Sequence, residues 1–184
     1  MRNAAAMQRA GAEYTRFVQF GYQAQIVNLF HDTGELSIPI PALPRPTLDE
    51  LRSKFPWIKV KGGIKRDDSA TEAGVLRLGS VLIPDEEKGL DGAKYERRLL
   101  VPRSQGLLFG YQQATWVVEH QQEFPELMQL LGKIHINSPG LIVVDENNYR
   151  RAPFLSDDGK RWHLCLDYFP VAVSSHTRAA FSGK

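Results

Sequence analysis

Three side chains of types that bind metals or act as nucleophiles alternate near the C-terminus: His163, Cys165 and Asp167. Alternate residues of a β-strand project from one face, so a strand here would present all three together. Neighbours two positions apart on a strand lie about 6.5 to 7 Å from each other. That spacing is too wide for ligands that must converge at about 2.0 to 2.3 Å on one ion. We interpret the segment as an exposed polar strand face, and thiol or metal chemistry is the rival interpretation.

The rest of the sequence carries no recognisable catalytic motif. It contains no GxSxG, HExxH or phosphate-binding glycine pattern. Glu119 and His120 are typical of a solvated pair, and His135 alternates with apolar neighbours, which predicts a side chain directed away from the core. Residues 157–159, Asp-Asp-Gly, lack the spaced carboxylates of a calcium loop and predict a hairpin turn. We therefore expect a protein that is not an enzyme and that requires no cofactor and no metal.

Composition sets the broad class of the protein. The chain has 184 residues, of which 42% are hydrophobic and 24% charged, as is ordinary for one globular domain. The net charge of +2 is spread along the chain, so no nucleic-acid partner is expected. The single cysteine leaves no partner for an intramolecular disulfide. The sequence has no apolar signal region and no membrane-length apolar run, so we expect no membrane contact and, by default, a cytoplasmic location.

The N-terminal half predicts helical, extended and strand segments in turn. Apolar residues recur at helical spacing from about Glu13 to Phe30, which predicts an amphipathic helix, with a strand as the alternative because the segment is rich in aromatic residues. Residues 38–46 contain four prolines and must be extended. Thr47, followed by acidic residues, predicts a short capped helix. Strands are expected at residues 57–61 and 75–83.

The C-terminal half predicts two helices followed by antiparallel strands. The first helix is expected between about residues 107 and 122, and the second begins at Pro125 and ends before Gly132. Residues 95–101 fit either a strand or a helical turn. The strands are expected at residues 134–136, 141–144, 150–155 and 162–169. These elements predict an α+β fold in which two helices pack on a small antiparallel sheet, with residues 47–184 as the domain and residues 1–46 as an N-terminal extension.

The segment from Asn147 to the end of the chain differs in composition from what precedes it. Within it, only Lys160, Trp162 and Lys184 belong to the set Glu, Lys, Gln, Met and Trp. These five residue types cannot be encoded by a codon with two free bases followed by a pyrimidine. Residues 112–129, by contrast, are rich in them.

A spaced pattern of apolar, glycine and arginine residues runs through this segment. It reads R-x-x-P-x-L-x-x-x-G-x-x-W-x-L-x-L-x-x-F from Arg150 to Phe169 and ends in RAAFSGK. Three upstream blocks complete it: LFGYQQATWVVEH at 108–120, EFPEL at 123–127 and SPGL at 138–141. The pattern resembles the variable proteins of diversity-generating retroelements, of the type found in small uncultivated bacteria, which adopt a C-type-lectin fold. The likeness covers roughly residues 79–184.

In that family, reverse transcription of a template repeat introduces errors at adenines, so displayed side chains change while the scaffold stays fixed. The resemblance implies that Trp162, Leu164, Phe169 and Arg178 are scaffold residues here. It also implies a ligand-binding surface within about residues 147–177. The displayed residues would be Tyr149, Arg151, Ser156, Asp157, Asp158, His163, Cys165, Asp167, Tyr168, Val171, Ser174, His176 and Thr177.

The resemblance implies a C-type-lectin-like domain that binds a ligand, and we expect that ligand to be a protein. Calcium-dependent sugar binding is not implied, because the sequence has no matching set of spaced carboxylates. Two alternatives stay open at this point. One is a small enzyme that uses Cys165 with His163, and the other is an assembly protein in which the same face is a fixed oligomer contact. The sequence does not decide the oligomeric state.

Overall fold

The computed structural model describes residues 30–83, 86, 89–169 and 172–183, and it confirms a mixed α+β fold dominated by a sheet. The helices of this part are α1 Leu48–Lys54, α2 Gly92–Arg98, α3 Leu100–Ser104, α4 Tyr111–His120 and α5 Pro125–Met128, with a 3-10 turn at Gln121–Glu123. The strands are β1 His31–Asp32, β2 Ile38–Ile40, β3 Ile64–Asp67, β4 Gly74–Ser80, β5 His135–Asn137, β6 Leu141–Val144, β7 Arg150–Asp157, β8 Trp162–Tyr168 and β9 Thr177–Gly183. The amphipathic helix predicted for residues 13–30 falls outside the described residues except for Phe30.

The nine strands form one sheet around the long strand β7. The order along the sheet is β1-β4-β9-β5-β7-β6-β3, with β2 also paired to β4 and β8 also paired to β7. All of these pairs are antiparallel except β5 with β9, which run parallel. Strands β5 and β6 share β7 as a partner, while β8 pairs with β7 along its length. The β7–β8 hairpin carries most of the candidate residues.

The segment predicted as an extension contributes to the sheet where the structure describes it. Strands β1 and β2 both pair with β4, and the side chains of Leu36, Ile38 and Ile40 are buried. The carboxylate of Glu35 accepts hydrogen bonds from Nε and Nη2 of Arg178 at 2.5 and 2.8 Å. This two-point contact ties the β1–β2 connection to the last strand, so these residues are part of the domain.

The two faces of the sheet are covered differently. One face packs against α4 and α5 through a core that includes Ile136, Leu155 and Trp162, together with the buried residues of β2. The opposite face is covered at one end by α2 and the residues on either side of it in the chain. Leu90, Tyr95 and Leu99 pack on the sheet there. The other end of that opposite face carries exposed and half-buried side chains, which belong largely to the candidate site.

Several local predictions are confirmed. Helix α1 begins with the cap expected at Thr47. The structure shows that this cap is reciprocal: the Thr47 hydroxyl accepts from the Glu50 N–H, and the Glu50 carboxylate accepts from the Thr47 N–H. Helix α5 begins at Pro125, and Gly132 has a positive φ of 70°. Of the undecided residues 95–101, residues 95–98 lie in α2 and residues 100–101 lie in α3, with Leu99 as the turn between the two helices.

Other local predictions are wrong. The alternating residues 57–61 make only one isolated bridge, between Ile58 and Asp145, and the strand follows at β3. The predicted long helix begins only at Tyr111, because Leu108 forms a bridge with Phe181 of β9. Strand β9 itself was not predicted: its Arg-Ala-Ala-Phe sequence has weak strand propensity, but pairing with β4 and β5 on its two edges compensates for this.

Strand β8 is fixed to the helices by Trp162. Its side chain is fully buried, and its indole N–H donates to the carbonyl oxygen of Leu127 at 3.1 Å. The side chain of Gln121 pairs with the backbone of Trp162: its Oε1 accepts from the Trp162 N–H at 2.6 Å, and its Nε2 donates to the Trp162 carbonyl at 3.2 Å. A glutamine side chain thus occupies the place of a neighbouring strand at this position. Within the described part of the chain, no helix is long and apolar enough to cross a membrane.

We predict that Gln121→Met destabilises the protein by about 2 to 4 kcal/mol, because it leaves the buried N–H and carbonyl of Trp162 without their side-chain partner. Thermal unfolding should show this as a fall in Tm of roughly 5 to 15 °C. The matched control is Gln122→Met, since the exposed Gln122 side chain should change stability by less than about 0.5 kcal/mol. Equal Tm values for the two variants would contradict the role of Gln121.

Candidate functional site

One group of candidate residues forms a row across the uncovered end of the sheet. His163 of β8 lies opposite Ser156 of β7, and His135 of β5 lies opposite Thr177 of β9. The β5–β7 register places His135 beside Ser156, so the four side chains project from one face of four neighbouring strands. His135 is exposed, and its ring stacks on Phe154 with the centroids 5.6 Å apart. We call this row, with Phe154 and Cys165, the open face.

Cys165 lies in the open face but is not an activated nucleophile. Its Sγ donates to the carbonyl oxygen of Phe154 at 3.3 Å and lies 3.9 Å from the hydroxyl of Ser156. Burial raises the pKa of the thiol above its ordinary value; the Ser156 contact offsets part of this rise, and the negative charge of Asp167 adds to it. The thiol is therefore protonated at neutral pH, whereas nucleophilic cysteines have a lowered pKa.

The β7–β8 turn uses its carboxylates internally. The Asp157 carboxylate accepts from the Gly159 N–H at 2.9 Å, and Gly159 has a positive φ of 81°. The Asp158 carboxylate accepts from the N–H groups of Lys160 and Arg161 at 2.9 and 3.0 Å. These bonds confirm the predicted hairpin turn.

His163 is held by the same turn. Its Nε2 lies 2.9 Å from Oδ2 of Asp158. The side chains of His163 and Asp158 are 41 and 47% exposed. The His163 contact, followed by the two backbone hydrogen bonds, holds the pKa of Asp158 far below its usual range. The imidazole is therefore oriented by a carboxylate that stays ionised, and it is not paired with Cys165.

A second group of candidate residues forms a stack at the other end of the hairpin. The guanidinium of Arg151 lies 4.1 Å from the ring centroid of Tyr168 and 5.0 Å from that of Trp57. Tyr168 in turn meets Tyr149 edge to face, with the ring centroids 5.3 Å apart. Tyr149 and Tyr168 are 53 and 47% exposed, so both rings are held in fixed contact yet remain available. We call Trp57, Arg151, Tyr168 and Tyr149 the aromatic stack.

The buried carboxylate of Asp145 fixes the aromatic stack. Its Oδ2 accepts from Nε of Arg151 at 2.8 Å, while Oδ1 accepts from the N–H groups of Tyr149 and Asn147. Burial by itself would raise the pKa of Asp145, but these hydrogen bonds and the Arg151 charge outweigh it and hold the pKa below its usual value. Arg151 is thus a support for the two tyrosines, because its side chain is only 20% exposed.

The remaining candidate residues lie around these two groups. Asp167 is exposed on β8, while Val171 lies outside the described residues. Ser174 and Thr177 hold the turn before β9, where the Ser174 N–H donates to the Thr177 hydroxyl at 3.1 Å. His176 is exposed and lines a hollow of about 440 Å³ together with Asp157, His135, Lys133, Ile134 and Gly132.

The candidate residues therefore form two patches and not one continuous surface. The open face and the aromatic stack lie on opposite sides of the β7–β8 hairpin, because Ser156 and Arg151 differ by an odd number of positions along β7. Of the predicted scaffold residues, Trp162 and Phe169 are buried, Leu164 is half-buried, and Arg178 is paired with Glu35. Among the described residues, no three His, Cys, Asp or Glu side chains are placed to hold a metal ion.

Four contributors to these patches were missed by sequence reasoning: Trp57, His135, Asp145 and Phe154. Asp145 carried a usable signal, since an aspartate between an apolar run and the Asn147-Asn148 pair favours a turn stabilised by its side chain. Trp57 and His135 belong to elements distant in sequence, so only the tertiary structure places them here.

Comparison of the chain with protein-family models, with curated proteins and with solved structures finds no significant match.

We predict that Cys165 reacts slowly with iodoacetamide at pH 7 compared with a free thiol such as glutathione. Because the folded-state pKa is raised, the rate should keep rising above pH 9. The same measurement on the unfolded chain in denaturant is the control, and it should give an ordinary thiol titration near pH 8.5, since Cys165 is the only cysteine. A plateau below pH 8.5 in the folded protein would instead support a thiol enzyme.

Proposed function

We propose that this chain is a ligand-binding protein with a C-type-lectin fold, a variable protein of a diversity-generating retroelement, whose displayed surface binds a protein ligand. The observation that carries the proposal is the aromatic stack. Two tyrosines, each about half exposed, are held in place by an arginine that a buried carboxylate fixes. Tyrosine and arginine dominate the energetics of protein interfaces, and a rigid aromatic side chain loses little entropy on binding.

The arrangement of β8 supports a surface that can change without loss of the fold. Trp162 and Leu166 are buried against the helices, whereas His163 and Asp167 alternate with them on the other face. Substitution of the outward residues leaves the inward packing intact, because successive side chains of a strand point to opposite faces of the sheet. This is the physical requirement for a displayed surface on a constant scaffold.

The topology is in keeping with a C-type-lectin-like domain. The last strand, β9, pairs with β4, which in turn pairs with β1 and β2. The early and late parts of the described chain thus meet in neighbouring strands. Helix α4 and the short α5 pack on the sheet face opposite the open face, as expected for two helices behind a displayed hairpin.

The genetic basis of the proposal is tested by sequencing the DNA that flanks the gene. We expect a near-repeat of the codons for residues 147–177 that differs from the gene only where the repeat carries adenine, close to a reverse-transcriptase gene. The codons for Tyr149, His163 and Tyr168 should align with AAC or AAT, whereas the Trp162 codon should be unchanged. Residues 112–129 serve as the internal control and should have no such repeat. A flanking region without a repeat would overturn the assignment to this family.

The physical basis is tested by restoring the residue that the unmutated template codon would encode. We expect the combined variant Tyr149→Asn, His163→Asn and Tyr168→Asn to lose less than about 2 kcal/mol, because these side chains contribute mainly to exposed contacts. Trp162→Asn should cost more than about 4 kcal/mol, because it replaces a fully buried ring with a polar side chain. Thermal unfolding distinguishes the two, and equal losses would mean that the candidate residues are structural.

A further inference from the structure

Three arginines and two carboxylates meet where α2 and α3 cover the sheet. Arg66 lies in β3, Arg150 begins β7 and Arg103 lies in α3, while Glu96 lies in α2 and Asp68 directly follows β3. We call these five residues the arginine cluster. It is separate from both the open face and the aromatic stack, since none of its members belongs to either group.

The pairing within the cluster is uneven. The Glu96 carboxylate accepts two hydrogen bonds from Arg150, at 2.6 and 3.1 Å, and a third from Nη2 of Arg66 at 3.3 Å. These contacts, led by the Arg150 hydrogen bonds, hold the pKa of Glu96 below its usual value. Glu96 therefore accepts hydrogen bonds from two of the three arginines and none from Arg103.

Arg103 has no hydrogen-bond acceptor among the described residues. Its side chain is 9% exposed, and its Nε, Nη1 and Nη2 are all buried without a hydrogen-bond partner. The nearest carboxylate oxygen is Oδ2 of Asp68, 3.4 Å from Nε, in a contact without hydrogen-bond geometry. The same oxygen lies 3.2 Å from Nε of Arg66, so it is shared between two guanidinium groups.

The cluster carries an excess of positive charge. Three guanidinium groups face two carboxylates, which leaves one uncompensated charge. Burial, followed by the charge of Arg66, lowers the pKa of Arg103 to about 10, although Glu96 and Asp68 oppose this. The neighbouring phenol of Tyr95 does not supply the missing anion, because burial raises its pKa to about 12. Arg103 is thus a buried cation at neutral pH with unmet donors and no counterion of its own.

A buried guanidinium without acceptors or a counterion destabilises the folded protein unless a bound partner accepts its hydrogen bonds and balances its charge. A guanidinium has five N–H donors, and a buried donor without an acceptor is destabilising. Water would satisfy the donors but would leave the charge uncompensated. A small oxyanion satisfies both, and its oxygen atoms match the planar fork of arginine.

We propose that the arginine cluster is a binding site for a small oxyanion, with phosphate as the best-matched class. Arg103 forms the floor of the site, and Arg66 and Arg150 form its rim. Solvent reaches the side chains of Arg66, Arg150 and Asp68, which are 28, 34 and 34% exposed. The nitrogen atoms of Arg103 lie beneath them and are buried, so an anion that contacts Arg103 has to displace these side chains. The bound anion supplies the missing negative charge and joins α3 to β3 and β7. The site thereby links anion concentration to the stability of the domain.

The proposal is tested by thermal unfolding of the full chain at pH 7 with increasing inorganic phosphate, at an ionic strength held constant with sodium chloride. We expect a rise in Tm of several degrees that, above the dissociation constant, increases with the logarithm of the phosphate concentration. Arg103→Met should abolish the rise. This variant is expected to fold, because it removes a buried charge that lacks a partner. Arg161→Met removes the same charge from a side chain that is 65% exposed and should keep the phosphate response of the wild type.

A second titration with sodium acetate distinguishes phosphate from carboxylate as the preferred oxyanion, and an Arg103-dependent rise in Tm with either anion supports the site. A phosphate effect on Tm that is equal in Arg103→Met and the wild type would overturn the proposal. Calorimetric titration of the wild type with phosphate provides a readout that needs no variant, and an absence of saturable heat would also overturn it.

Discussion

The arrangement of the β7–β8 hairpin depends on the burial of the Trp162 side chain. The indole fills the core between the sheet and helices α4 and α5, and both its ring N–H and its backbone groups find partners there. Once this residue is fixed, the two-residue period of a strand decides the direction of every other side chain on β8. Leu164 and Leu166 follow it toward the helices, and His163, Cys165 and Asp167 are directed away from them.

The same constraint explains why the candidate residues form two patches. Helix α2 and its neighbours cover only one end of the outward face, so residues near the β7–β8 turn stay open while Ala152 and Ala179 are buried. At the far end of the hairpin, the inward face extends past the helices, and Arg151 and Tyr168 meet Trp57 there. The open face is polar and contains two histidines, whereas the aromatic stack is built from aromatic rings around one guanidinium. Two chemically different surfaces thus arise from one strand pair.

Carboxylate–arginine contacts hold the periphery of the sheet together. Glu35 with Arg178, Asp145 with Arg151 and Glu96 with Arg150 each join segments through hydrogen bonds to a charged group, which are stronger than neutral ones. Arg103 is the exception among these arginines, because its nearest carboxylate is shared and lacks hydrogen-bond geometry.

The sequence by itself determined the α+β class, the cap at Thr47, the hairpin turn at residues 157–159 and the alternation of β8, because each depends on residues close together in the chain. The tertiary structure alone decided the place of β9, whose weak strand propensity is overcome by pairing on both of its edges. It alone brought Trp57 beside Arg151 and assembled the arginine cluster from four separate elements. Such contacts join residues tens of positions apart, and periodicity carries no record of which distant segments become neighbours in the folded sheet.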